Sequence, residues 1–238
     1  LKQQGLKNVE MNIASVGLGG ANLEKIQFGQ DELFVIEDVA LKYTLDDLRH
    51  KRIDEILLNN VLIKAVQKED SWIVYGLEGL TSDNADTSPL SFISLGSEQL
   101  EAVPFRTFGI RESLFNISAD FGTLDIPLNA RWQKYDSPNL IYNSDLIAFK
   151  REDLEVNISK PEMELLLKDG AWAGDWTVES LSTNNVALPI FTSSGSVSAN
   201  DKELSAKGEF TSDNNVYQGD FSFNYTPENS TSMVFNSN

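Results

Sequence analysis

The sequence predicts a mainly β protein, a long antiparallel meander with one or two short helices, and three observations predict it. Apolar and polar residues alternate with period two in run after run. Gly, Asn, Asp and Ser clusters separate the runs at intervals of about a dozen residues, as in an antiparallel meander. Helical periodicity is scarce throughout.

Taken in chain order, Val9, Met11 and Ile13 alternate, and Gly17, Gly19 and Gly20 mark a turn before Ile26 and Phe28. Two long runs follow, Leu33 to Leu45 and Ile53 to Val66. In the first, Leu33, Val35, Val39, Leu41, Tyr43 and Leu45 point one way and Asp38, Lys42 and Thr44 the other. The charged link from Asp46 to Arg52 reads as a single helical turn or tight connection. In the second run, Ile56, Leu58, Leu62 and Val66 alternate with Leu57, Val61 and Ile63, so both faces carry apolar groups and something must cover the second.

Trp72 to Leu80 reads as a strand or a short helix, residues 81–89 as a polar loop, and Leu90 to Ala102 as a short amphipathic helix. Phe115 to Phe121 and Leu124 to Trp132 form a hairpin about Gly122-Thr123. Leu154, Val156 and Ile158 make a strand that Pro161 closes, and Met163, Leu165 and Leu167 begin another. Trp172, Gly174, Trp176 and Val178, then Leu204 to Phe210 and Tyr217 to Tyr225, continue as one sheet. Ser137, Pro138 and Asn139 suggest a boundary between a β-rich part, 1–133, and a C-terminal antiparallel sheet, 134–238; a continuous domain with a loop there is the alternative.

The chain has 238 residues, 41% of them hydrophobic, enough to bury a core. Its 36 acidic and 19 basic residues give a net charge of -17, which disfavours nucleic acid and anionic membrane surfaces as partners. Without cysteine there is no disulfide framework, thiolate nucleophile or Cys-based metal site. Apolar clusters such as Ile56-Leu57-Leu58 are far shorter than a membrane span. The chain begins and ends in strand-like sequence without a leader, so a piece of something longer is expected.

No catalytic residue, cofactor or metal is assigned. The one histidine, His50, lies in the charged link and reads as a surface residue, not a triad member. Gly17-Leu18-Gly19-Gly20 lacks the lysine and helix of a phosphate loop. Asp83-Asn84-Ala85-Asp86 and Asp213-Asn214-Asn215 lack calcium-loop spacing and read as solvated turns. Paired carboxylates for glycoside hydrolysis carry no weight in a chain this acidic. Trp72, Trp132, Trp172 and Trp176 are stacking surfaces for sugars or, in their alternating or Gly-flanked contexts, core residues.

The core Ile36-Glu37-Asp38-Val39-Ala40-Leu41-Lys42-Tyr43, the Leu48 and Arg52-Ile53-Asp54 that follow, and the strand from Leu57 to Ile63 resemble a recurrent unit of the AsmA-like proteins. That bacterial envelope group includes TamB and the YdbH-type proteins. Leu124-Asp125-Ile126-Pro127-Leu128-Asn129-Ala130 and Trp172-Ala173-Gly174-Asp175-Trp176, with Leu188-Pro189 and Ser194-Gly195-Ser196, are similar to YdbH-type phrases. The resemblance covers about two thirds of the chain and rests on strand patterns; the chain is much shorter than those proteins and lacks their N-terminal anchor.

The resemblance implies a sheet curled into a groove or trough, a periplasmic location, an inner-membrane anchor in the full-length protein, and non-enzymatic carriage of phospholipid acyl chains between membranes, with envelope proteins as partners. The expected lining is Val35, Val39, Leu41, Tyr43, Leu57, Val61, Ile63, Phe115, Ile117, Leu124, Ile126 and Leu128. On this reading an acyl chain is one possible cover for the second face of the Ile53 to Val66 strand; the Leu90 to Ala102 helix or the second half of the chain is the other. The alternative function is a β-sandwich-type surface binding or adhesion module for carbohydrate or protein.

Overall fold

A computed structural model describes residues 8–29, 33–68, 71–76, 103–134, 138–168, 170–200, 203–226 and 232–237. Strands take up 76% of them. The expected Leu90 to Ala102 helix and the 81–89 loop lie outside the described residues. The chain divides into two compact units, one within residues 1–85, 104–133 and 149–152, the other within 86–103, 134–148 and 153–238.

The first unit contains β1 (Glu10–Val16), β2 (Gly20–Phe28), β3 (Phe34–Lys42), α1 (Leu45–Arg49), β4 (Ile53–Lys68), β5 (Ser71–Val74), β6 (Phe105–Ala119) and β7 (Gly122–Gln133). Their order in the sheet is β1-β2-β3-β4-β6-β7, with β5 on the end of β4. Each pair is antiparallel except β4 with β6, which run parallel with Ile53 beside Phe105. The departure from a pure meander has a simple cause. Four-residue β5 reverses the chain only briefly, and residues 77–102 provide the long connection that a parallel pair requires. Pro104 then accepts the Ile53 N–H at 2.8 Å.

The charged link forms α1 because Thr44 and Asp47 make a capping box. The Asp47 N–H donates to Thr44 Oγ1, and the Thr44 N–H donates to Asp47 Oδ2, both at 3.0 Å. The Thr44 hydroxyl also donates to Asp47 Oδ2 at 2.6 Å, and this bond and the one from the Thr44 N–H, with Arg106 and Arg52 nearby, hold the Asp47 carboxyl below its usual range. Arg106 reaches both Asp47 (3.3 Å) and Asp54 (3.1 Å), fastening the turn to β4 and β6.

The long β3 run is not a single alternation. Phe34 and Ile36 are buried, Glu37 and Asp38 are both exposed, and Val39 is buried again, so the inward phase shifts by one residue. The same shift occurs at Glu24-Lys25 in β2, at Asn59-Asn60 in β4 and at Arg111-Glu112 in β6. These doublets lie in register across the four strands. Register irregularities absorb the shift at its borders, between β1 and β2 and between β6 and β7. Asn60 and Glu112 take left-handed backbone, φ 52° and 49°. Ser113 repairs the ladder there: its hydroxyl accepts the Val61 N–H at 2.9 Å and donates to the Arg111 carbonyl at 2.7 Å.

The second unit holds β8 (Asn139–Asn143), β10 (Leu154–Lys168), β11 (Ala171–Thr183), β12 (Phe191–Ala199), β13 (Leu204–Ser212), β14 (Gln218–Tyr225) and β15 (Ser232–Ser237), antiparallel in that order; β9 (Leu146–Arg151) pairs with β10 and straddles the division. Pro161 does not end its strand, contrary to expectation. Lys160, at φ 44°, donates its N–H to Asp145, and the Pro161 carbonyl accepts from Ser144, so β10 runs through with no bond demanded of the proline nitrogen.

Left-handed backbone at Asn60 is tolerable for asparagine and costly for a β-branched residue. Asn60→Val is expected to destabilise the protein by about 1–3 kcal/mol and Asn60→Gly to be near neutral, as read from urea unfolding midpoints.

Candidate functional site

Residues directly paired across adjacent strands share a face, so the register assigns the paired side chains of β2, β3, β4, β6 and β7. One face carries Leu23, Ile26 and Phe28 from β2, and Phe34, Ile36, Val39 and Leu41 from β3. Ile56, Leu58, Val61, Ile63 and Ala65 continue it on β4. Beside these lie Phe108, Ile110, Phe115 and Ile117 of β6, then Trp132, Ala130, Leu128, Ile126 and Leu124 of β7. The phase shift is what makes this possible. Ile56 and Leu58 precede the extra residue, Val61 and Ile63 follow it, and all four join one cluster.

Nine of the twelve expected lining residues therefore fall on one face, Val39, Leu41, Val61, Ile63, Phe115, Ile117, Leu124, Ile126 and Leu128, while Tyr43 lies one residue past the paired part of β3. Val35 and Leu57 do not fall on it. Val35 pairs with Leu62 and Leu57 with Ala40, on the opposite side; the Leu57 side chain lies over Gly109. Burial grades the face. Val61 is 2% exposed, and Val39 and Tyr43 are also sealed, whereas Phe115, Ile117, Leu124, Ile126 and Leu128 are half-buried. The Tyr43 hydroxyl is tied to the carbonyls of Gly17 and Gly20, both at 3.0 Å, and closes the β1–β2 turn.

The opposite face is mostly polar. Lys42 meets Glu55 at 2.5 Å with Arg131 at 3.6 Å, Asn59 donates to Asp38 at 2.7 Å, and Asn116 donates to Asp125 at 2.5 Å. One apolar row crosses it, Val35-Leu62-Leu114-Pro127, and Leu62 is 42% exposed. The expectation that both faces of β4 are apolar thus reduces largely to this row and Leu57.

In the second unit the alternation holds through the middle of the sheet and is interrupted at Lys160 of β10 and at a register shift between Val178 and Leu181 of β11. One face is largely polar, including Asp175, Thr177, Ser194, Ser196, Lys207 and Glu209. The other bears the row Met163-Trp176-Gly195-Gly208-Phe221-Phe235. Trp176 lies across the paired glycines: a Cβ built on Gly208 would stand 2.6 Å from its Cζ2, and one on Gly195 2.8 Å. Its ring centroid is 5.8 Å from that of Phe221, which is 6.1 Å from Phe235. Trp172 is 8% exposed, a core position and not a platform for a sugar. Trp132 stands edge-on to Phe105 at 5.7 Å, its buried indole N–H without a hydrogen-bond partner among the described residues. Trp72 lies on β5.

Among the remaining expected features, Asn214 accepts hydrogen bonds from Ser212 Oγ and the Val216 N–H, a local turn. His50 is exposed, its Nδ1 2.8 Å from the Asp46 carbonyl. The Asp83 to Asp86 stretch lies outside the described residues. Sequence inspection missed the phase shift and the glycine bed under Trp176. The signal for the first was a polar doublet inside each apolar run; that for the second was a pair of strand glycines thirteen residues apart, 195 and 208.

Fold and faces define a class, a β protein whose sheets are apolar on one side and largely polar on the other. No protein-family model, curated protein or solved structure matches the chain.

Two outcomes follow from this geometry. Lys42, and after it Arg131, lower the Glu55 carboxyl below its ordinary 4.5. That contribution to stability is complete above the ordinary value and is lost as pH falls through the lower folded value. Glu55→Gln should flatten the acid limb of a stability-versus-pH curve by less than about 1 kcal/mol, since Lys42 is solvent-exposed. Gly208→Val should displace Trp176, seen as a red shift of tryptophan emission together with a loss of about 1–3 kcal/mol in denaturant unfolding.

Proposed function

We propose that the protein is a non-enzymatic binder of lipid acyl chains and presents the apolar face of its first unit as the binding surface. The observation that carries this reading is the half-buried field of Phe115, Ile117, Leu124, Ile126 and Leu128, continuous with the sealed cluster around Val39 and Val61. The described elements of that unit are one sheet and a single helical turn. A hydrocarbon chain suits such a surface because each methylene removed from water contributes about 0.8 kcal/mol without any polar contact. The charged opposite face keeps the outside of the sheet in water. Carriage of phospholipid across a bacterial envelope, with the periplasmic location and envelope partners implied by the AsmA-like resemblance, belongs to the same proposal.

The test is mass spectrometry of organic extracts of the purified protein, paired with displacement of a fluorescent fatty acid. Copurifying phospholipid is expected, with probe affinity falling about tenfold or more in Ile126→Glu, where a buried charge replaces an apolar contact. Absence of lipid together with equal probe binding by Ile126→Glu overturns the reading.

A further inference from the structure

The β1–β2 turn and α1 meet at one end of the first unit's sheet, and Tyr43 joins them. Its N–H donates to the Gly19 carbonyl at 3.2 Å and its hydroxyl holds Gly17 and Gly20, two residues before α1 begins. From these two short segments four aliphatic side chains stand in solvent: Val16 is 69% exposed, Leu18 76%, Leu45 53% and Leu48 46%. A single exposed aliphatic residue is ordinary, but four on adjoining turns form a patch.

Arg49, Lys51 and Arg52 follow at once, all exposed. Of the neighbouring acids, Asp47 is held by Thr44 and Arg106 and Asp54 by Arg106, while exposed Asp46 lies 3.6 Å from His50, so the three cations outnumber the one acid left facing solvent beside them. Arg49 and Lys51 have no ion pair among the described residues. Cations set beside aliphatic side chains match a bilayer surface, whose anionic phosphates lie directly over hydrocarbon.

We propose that this end of the protein seats on a membrane surface bearing anionic headgroups, with Leu18, Leu45 and Leu48 entering the headgroup layer and Arg49, Lys51 and Arg52 meeting its phosphates. The net charge of -17 opposes an anionic surface only over the distance that salt leaves unscreened. At physiological salt the screening length is about 8 Å, so the surface responds to the charges at the tip and not to the whole chain. A second copy seated tip to tip is a poorer occupant, because it sets the same exposed Arg49, Lys51 and Arg52 against their own like. The inference stands whether or not the apolar face binds acyl chains.

The chain has no cysteine, so a single environment-sensitive label is clean. Leu48→Cys and, on the exposed polar face of the second unit, Ser194→Cys are each labelled and mixed with vesicles of equal parts phosphatidylcholine and phosphatidylglycerol. The label at residue 48 is expected to shift to the blue and the one at 194 to stay in water. Replacing Arg49 by Gln and Lys51 by Asn, which tolerates the φ of 55° there, should weaken vesicle flotation about tenfold while circular dichroism is unchanged. Leu45→Ser with Leu18→Ser should weaken it as well. A silent label at 48, equal responses at both sites, or flotation unaffected by the charge variant overturns the proposal. So does a dimer in light scattering that the serine variant dissolves.

Discussion

Everything in the first unit depends on the rule that residues paired across a ladder lie on the same face. A strand that changes its inward phase alone would turn its apolar side chains into water beyond the change. Here β2, β3, β4 and β6 change phase at the same place, and the shift runs between adjacent strands without changing their register. The cost is local: left-handed backbone at Asn60 and Glu112 and a ladder bond rerouted through Ser113. The return is a single apolar face running from Leu23 to Leu124.

That face gives the molecule its asymmetry. Toward β2 and β3 it closes on itself, with Phe28 stacked on Phe34 at 4.9 Å and Ile36 and Val39 buried beside them. Toward β7 it is only half covered. The ion pairs and amide contacts of the other face keep that side hydrated, and the strong net acidity disfavours association of like chains.

Period-two alternation made the strands legible, and capping chemistry made α1 legible, because both are set by neighbours in sequence. The hairpin at Gly122 and the strands from Met163 to Tyr225 emerged for the same reason. The face assignment was harder. Counting odd positions through Glu37-Asp38 put Val35 beside Val39, although the strand shifts phase between them. Asn60 hides the same event in β4, since asparagine in a strand announces a left-handed residue only when its partners are known. Pro161 misled similarly: the bulge at Lys160 that makes it harmless depends on Asp145 and Ser144, which approach only in the folded sheet. The parallel pairing of β4 with β6 left no local mark at all.

That parallel pair also governs how the first unit comes together in time. β1 through β4 are joined by short connections, and β6 and β7 form a tight hairpin, so each group closes its contacts over small loops. Joining them demands contacts such as Val61 with Ser113, 52 residues apart. Two quickly formed pieces with a slow seam between them are the kinetic consequence, because the entropy of the long closure is lost before the seam returns any stability. Until β4 and β6 meet, Ile63 and Phe115 face water on separate pieces, and that interval is when the chain is most exposed to aggregation.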